Sequence, residues 1–309
     1  MNKVKNNFTI ILLFLFIYFL FKFNYILNTS VIDAVTLWIT KVFPSLFIMF
    51  VLNDIIINTN ILRNITIFIN PIFNKIFNTT GFSSQAFLLS LFSGTPSSAF
   101  IIKEMLDNQS ITLEDANKLI TFTYFSNPLF LYNILSLSFN KFITIKIIIT
   151  HYLSNIVIGL IFRNKKIGRV IKNKNSIKEN KNLFLILPLS ITKSLNTLIM
   201  ILGTLTFYMI ISNIIINIFK LSPISNVLIK GFLEITQSLN ILNNLNVPSI
   251  IKEIIAISII SFGGLSIHSQ VLSLISDTNI SYKNFFFARI IHTLVSASTY
   301  FFISRFSIC

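Results

Sequence analysis

Ionisable and strongly polar residues are few inside the apolar stretches of this chain, and their spacing narrows what they can do. Arg289 and His292, in "ARIIHTL", stand at i and i+3 and so share one helix face. Burying a guanidinium at membrane depth is costly, which makes Arg289 the expected counter-charge for a carboxylate if it faces a polar interior. Snorkelling to an interface is its plain alternative. Glu234, beside Thr236 and Gln237 in "GFLEITQ", is expected to hold a cation or proton, or equally to be an interfacial acid. His268 and Gln270 follow Gly263, Gly264 and Ser266 in "SFGGLSIHSQ", where a solute contact is weighed against simple packing.

Two further stretches interrupt apolar runs. "SGTPSS" places Ser93, Gly94, Thr95, Ser97 and Ser98 around Pro96 in the middle of the segment from about 84 to 106. A break of this kind exposes the backbone N–H groups that begin the returning half-helix, and helix N-termini attract anions. Serine and threonine also cap helices with no ligand present, and the two readings are compatible. "FSNPLF" puts Ser126 and Asn127 before Pro128, which removes a backbone donor and leaves carbonyls free for a ligand or ion; a plain proline kink is the alternative.

The elements that must position these residues are transmembrane. The 309 residues are 53% hydrophobic and 11% charged, with a mean hydropathy of +0.78, against about 25% charged residues in soluble domains. The formal charge of +15 gathers in loops beside apolar segments, as the positive-inside rule describes, and no nucleic-acid module is visible. The single Cys309 excludes an internal disulfide framework and a cysteine metal cluster. No nucleotide-binding loop, HExxH motif or nucleophile elbow is present, so no enzymatic activity and no cofactor is expected.

The apolar run at 8 to 27 reads as an uncleaved first helix. Further apolar segments begin near 35, 64, 84, 115 and 141, and, beyond a polar stretch, near 187, 248 and 282, with an amphipathic region at 225 to 245. That polar stretch, 163 to 182, carries eight basic residues and one acid, Glu179, which places it in the cytoplasm with the N-terminus. Both can lie inside only if one preceding segment does not cross. The one broken by "SGTPSS" is the expected re-entrant hairpin, because irregular backbone is tolerated at membrane depth where protein surrounds it. "SFGGLSIHSQVLSLISDTNIS" aligns with this hairpin at one constant offset, and "KSLNTLIMIL" echoes "KVFPSLFIMF". The expectation is therefore an N-terminal helix (1–34), a first repeat (35–162), a basic linker (163–182) and a second, inverted repeat (183–309). In it the 248 to 276 segment is the second re-entrant hairpin and residues around 220 to 245 are an insertion. The fold class is an all-α, inverted-repeat, transporter-like membrane bundle with two re-entrant hairpins and broken helices.

Taken together, "KVFPSLF", the run from "GFSSQAF" to "FSNPLFL", "GFLEITQSL", "SFGGLSIHSQVLSLISDTNISY" and "ARIIHTL" resemble the YlbJ-type sporulation integral membrane proteins of the nucleoside-recognition, or Gate-domain, group. The resemblance covers about residues 35 to 305. It implies a polytopic protein of endospore formers, made in the mother cell and placed in the membrane around the forespore. It also implies movement of dipicolinate, a small aromatic dicarboxylate, toward the spore. The first hairpin departs from the family pattern by lacking a glycine and a lysine.

The leading expectation is a carrier of a small polar anion, working by alternating access. A nucleoside carrier of the same fold and a non-transport scaffold for spore-envelope assembly stand as alternatives; the lack of an obvious acid beside the hairpin tips argues against ribose recognition. The expected partners are the anionic substrate, the bilayer, and a second copy of the chain or transport machinery in the adjacent membrane.

Overall fold

Leucine, isoleucine and phenylalanine runs with no water to satisfy their backbone must form helices, and the computed structural model, which describes residues 10, 13, 14, 17–19, 21–59, 62–163 and 183–306, contains no strand among them. Most of the expected first helix's start, nearly all of the basic linker and Cys309 lie outside the described residues. Among the described residues five helical stretches are long and apolar enough to cross a membrane: Asn24–Ile56, Lys141–Ile161, Leu183–Phe219, Ser249–Ile275 and Tyr282–Arg305. The chain is an integral, multi-pass membrane protein.

Helix α1 (Asn24–Leu37) passes through a π-helical turn (Trp38–Val42) into α2 (Phe43–Thr59) without reversing, so the boundary expected at residue 34 falls inside one helical run. Helix α3 (Arg63–Phe77) continues through Pro71. Two short helices follow, α4 (Ser83–Ser93) and α5 (Ser97–Asp107), separated only by Gly94, Thr95 and Pro96. Their far ends meet, since the Phe82 amide donates to Ser110 O at 3.2 Å. Each has 11 residues, and at 1.5 Å per residue spans about 16 Å, roughly half a bilayer core.

Helices α6 (Leu113–Phe122) and α7 (Pro128–Leu135) are two parts of one path, parted by non-helical residues 123–127. Thr112 and Asp115 form a capping box that starts α6. Asn127 with Pro128 behind it starts α7, as an N-cap followed by proline does. Helix α8 (Lys141–Ile161) runs back beside them toward the linker, and α9 (Leu183–Phe219) returns from it.

Helices α10 (Pro223–Leu233) and α11 (Ile235–Ile241) fold against each other, with Ser238 Oγ donating to Val227 O at 2.7 Å. Their turn is Glu234, whose extended backbone (φ −147°, ψ 120°) ends one helix while its carboxylate caps the next by accepting from the Gln237 amide at 2.8 Å. Helices α12 (Ser249–Phe262) and α13 (Gly264–Ile275) meet at Gly263, in the left-handed region (φ +95°) that favours glycine. The last helix is α14 (Tyr282–Phe306).

The expected second hairpin is corrected here. Along α14, Tyr300 donates to Glu253 at 2.5 Å, Ser296 to Ser261 at 2.8 Å, and Tyr282 lies 2.9 Å from His268. Helices α12 and α13 therefore run one after the other down the length of α14. Residues 248 to 276 form one interrupted span whose ends lie far apart. The region around 220 to 245, expected as an insertion, supplies the second folded-back pair instead.

Candidate solute site

Both folded-back pairs and both interrupted paths converge on one cavity. Thr95 and Pro96 reach it from the first turn, Glu234, Ile235 and Thr236 from the second, Ser126 and Asn127 from the first break, and Ser266, Ile267 and Gln270 from the turns after the second. Its remaining wall is apolar: Val42 and Leu46 on the π turn and α2, Phe130 on α7, Ile201 and Leu205 on α9.

Local bonding holds these polar groups in place, with the exception of the Ser126 hydroxyl, which is buried and has no partner. Gly94 adopts φ +72°, ψ 177°, a region open essentially to glycine. A side chain there would meet the Asn127 backbone, with an added Cβ 2.6 Å from Asn127 N. The Thr95 amide donates to Phe125 O at 2.9 Å. Asn127 works in two directions: its Oδ1 accepts from the Leu129 and Phe130 amides (3.0 and 3.1 Å), while its Nδ2 donates to Phe92 O at 2.9 Å. Gln270 Nε2 donates to Thr204 (2.6 Å) and Ser266 (3.3 Å). Glu234, 3% exposed, accepts from Thr236 Oγ1 at 2.9 Å and from the Gln237 amide.

Of the residues singled out from the sequence, Thr95, Ser126, Asn127, Glu234, Ser266 and Gln270 line this cavity. The others lie around it. Ser93 is buried and donates to Leu89 O, and Ser98 lies 3.4 Å from Thr95 Oγ1. Ser97 faces a second cavity nearer the linker end. Gly263 packs on the Tyr124 ring, and an added Cβ at Gly264 would stand 3.2 Å from the carbonyls of Gly231 and Leu233. His268 donates from Nε2 to Phe262 O at 3.2 Å and accepts from the Tyr282 hydroxyl.

Arg289 and His292 share a helix face as the spacing requires, yet neither lines the cavity. Arg289 is fully buried. It donates to Thr121 O, to His292 Nδ1 at 2.9 Å and to Asn155 Oδ1 at 3.5 Å, and stacks 4.3 Å from the Tyr124 ring centre. His292 Nε2 donates onward to His151 O at 3.2 Å. Among the described residues no lysine or arginine lines the central cavity, and its one ionisable group is the carboxylate of Glu234. The expectation that no acid stands beside the turns is thereby overturned.

Thr236, named from the sequence only as a neighbour of Glu234, is also a liner, and sequence reasoning missed the whole apolar wall. Those hydrophobic residues carry no signal that separates a cavity wall from a lipid-facing surface. No group of three or more metal-ligating side chains occurs among the described residues.

The chain is 26% identical over 303 residues, 85% of its own length and 74% of the relative's, to the sporulation integral membrane protein YlbJ of Bacillus subtilis (strain 168). No family model matches it, and no solved structure does. The likeness is thus to a sporulation integral membrane protein, and the multi-pass helical bundle agrees with it at that level.

Proposed function

We propose that this protein is a membrane carrier for a small polar solute, working during endospore formation. The observation that carries the reading is the convergence of two folded-back helix pairs and two interrupted helices on one polar cavity. In membrane proteins, irregular backbone at depth is tolerated where it lines a cavity, and discontinuous helices around a central site are how many secondary transporters hold their cargo. In this reading α4–α5 and α10–α11 are re-entrant hairpins from opposite faces. The two halves are inverted repeats: "SGTPSS" corresponds to "FLEITQ" as a hairpin tip, and "FSNPLF" to "SFGGLS" as a helix break.

Dipicolinate is the cargo implied by the family resemblance. The hydroxyls of Thr95, Ser126 and Ser266 and the second N–H of Asn127 Nδ2 are suitable donors for a carboxylate, and Gln270 orients Ser266 by donating to it. The apolar wall suits an aromatic ring. Glu234 imposes a condition, because a dianion beside an ionised carboxylate in a low-dielectric site is strongly disfavoured. The cargo then enters with a proton shared among the carboxyl groups. The same glutamate favours a second reading, a nucleoside carrier, in which it would accept from sugar hydroxyls.

Uptake of labelled dipicolinate and of uridine into proteoliposomes of the purified chain separates these readings. Dipicolinate uptake that falls in Gln270→Leu supports the first, and uridine uptake alone supports the second. Uptake of neither by correctly folded protein sinks both and leaves a structural role in the spore envelope.

A further inference from the structure

A second cavity lies toward the linker end of the same helices. It is offset by about one turn along each of them: Leu46 lines the central cavity and Phe50 the second on α2, Ile201 and Thr197 do so on α9, and Gln270 and Leu274 on α13. The two spaces are thus stacked in one seam.

The lining of the second cavity differs in kind, because it contains an ammonium, Lys193, together with a carboxylate, Asp54. Lys193 Nζ lies 2.6 Å from Asp54 Oδ1 and 3.7 Å from Glu104 Oε1, and 4.3 Å from the Phe100 ring centre. Asp54 is fully engaged, since its other oxygen accepts from Ser190 at 2.7 Å and Asn58 at 3.1 Å. Glu104 meets the ammonium at longer range and from outside the lining. Asn53, only 5% exposed, lines the cavity, and its Nδ2 has no hydrogen-bond partner. Buried amide donors are seldom left unpaired. Ser97 adds a hydroxyl at the start of α5.

An ammonium whose second acid is loosely held, an orphaned amide donor and a hydroxyl converge on a space one turn from the central site. Such a donor set fits an acceptor with two oxygens and a negative charge. We propose that this cavity is a vestibular site for the carboxylate of a small organic anion, which takes Lys193 from Glu104 and accepts from Asn53 Nδ2. Glu104 belongs to the first folded-back pair and Lys193 to α9, so this exchange breaks the ion pair between them and leaves the contact of Lys193 with the Phe100 ring as the remaining tie. The site's purpose rests on the carrier reading, whereas its chemistry rests on the cavity alone.

The test uses the full chain with Cys309→Ser and Ser97→Cys, labelled by a charged methanethiosulfonate reagent, with dipicolinate as the probe and uridine as the uncharged control. Dipicolinate at ten times its half-protecting concentration is expected to slow labelling about tenfold, and uridine to leave it unchanged. Lys193→Gln and Asn53→Leu each raise the half-protecting concentration, by about tenfold for the lysine. Glu104→Gln lowers it, because the competitor for the ammonium is gone; a purely structural role for Glu104 would not produce that sign. Glu104→Gln also keeps the size of the side chain and carries the test if Lys193→Gln fails to fold. Absence of protection, equal protection by uridine, or protection indifferent to these substitutions overturns the proposal. Protection without proteoliposome uptake would defeat the carrier reading and leave the site standing; uptake without protection would do the reverse.

Discussion

The Ser126 amide donates to His151 Nε2 at 3.3 Å, which fixes the imidazole proton on Nδ1, 3.3 Å from Ser261 Oγ. One uncharged histidine on α8 thereby joins the first helix break to the last turn before the second. Ser126 lines the cavity and Ser261 stands two residues before Gly263.

His151→Leu leaves the Ser126 amide without a partner and is expected to lower stability by about 1–3 kcal/mol, the cost of a buried unsatisfied group. His151→Gln, which can return an acceptor toward Ser126, should recover part of the loss. Thermal unfolding in detergent measures both. Equal stability of Leu and wild type would show that the bond contributes nothing.

Gly94→Ala should be costly and Gly203→Ala harmless. The first forces φ +72° on a residue with a side chain and drives its Cβ to 2.6 Å from Asn127 N, whereas an added Cβ at Gly203 meets nothing within 4 Å. The expected losses are about 1–3 kcal/mol for Gly94, against a gain of about 0.5–1 kcal/mol for alanine in the middle of a helix. Denaturation midpoints of the two variants, side by side, check the contrast.

Dipicolinate uptake should quicken as the external medium is acidified, because a protonated Glu234 no longer repels the dianion. Glu234→Gln should retain uptake and lose most of this pH dependence. Initial rates across pH 5.5 to 8 decide the matter, and a variant with an unchanged pH profile would remove Glu234 from the mechanism.

Cysteine accessibility checks the half-membrane hairpins. In a Cys309→Ser background, Asn78→Cys and Ser110→Cys, at the two ends of α4–α5, should react from the same side of the membrane and Asn244→Cys from the other. Asn78 and Ser110 on opposite sides would mean that α4–α5 crosses.

Much of this architecture is legible in residue types. Gly94 to Pro96, Asn127–Pro128 and Gly263–Gly264 each announce a break, because glycine and proline alter what the backbone can adopt or donate. What residue types cannot show is whether a break is a hairpin turn or an interruption. That depends on where the far ends of the flanking helices go, and only the Phe82–Ser110 bond and the order of contacts along α14 reveal it. "GFLEITQ" escaped notice as a turn because neither glycine nor proline stands at Glu234; an extended acid caps the following helix instead. Arg289, expected as a counter-charge for the solute, does not line the cavity. His292 is the partner its own spacing provides, whereas Thr121 and Asn155 come from α6 and α8, which no local spacing could bring to it.

The double engagement of Asn127 has a mechanical consequence. By capping α7 with one side of its amide and holding Phe92 O with the other, it welds the first hairpin to the neighbouring span. Neither can swing without the other. Opposite them, the cavity wall formed by Val42, Leu46, Ile201 and Leu205 offers no directional bonds from its side chains. In the carrier reading, hairpin and span shift along the apolar wall as one body, and the bond from Asn133 Nδ2 to Ser45 Oγ (3.1 Å) is the latch that such a shift must break.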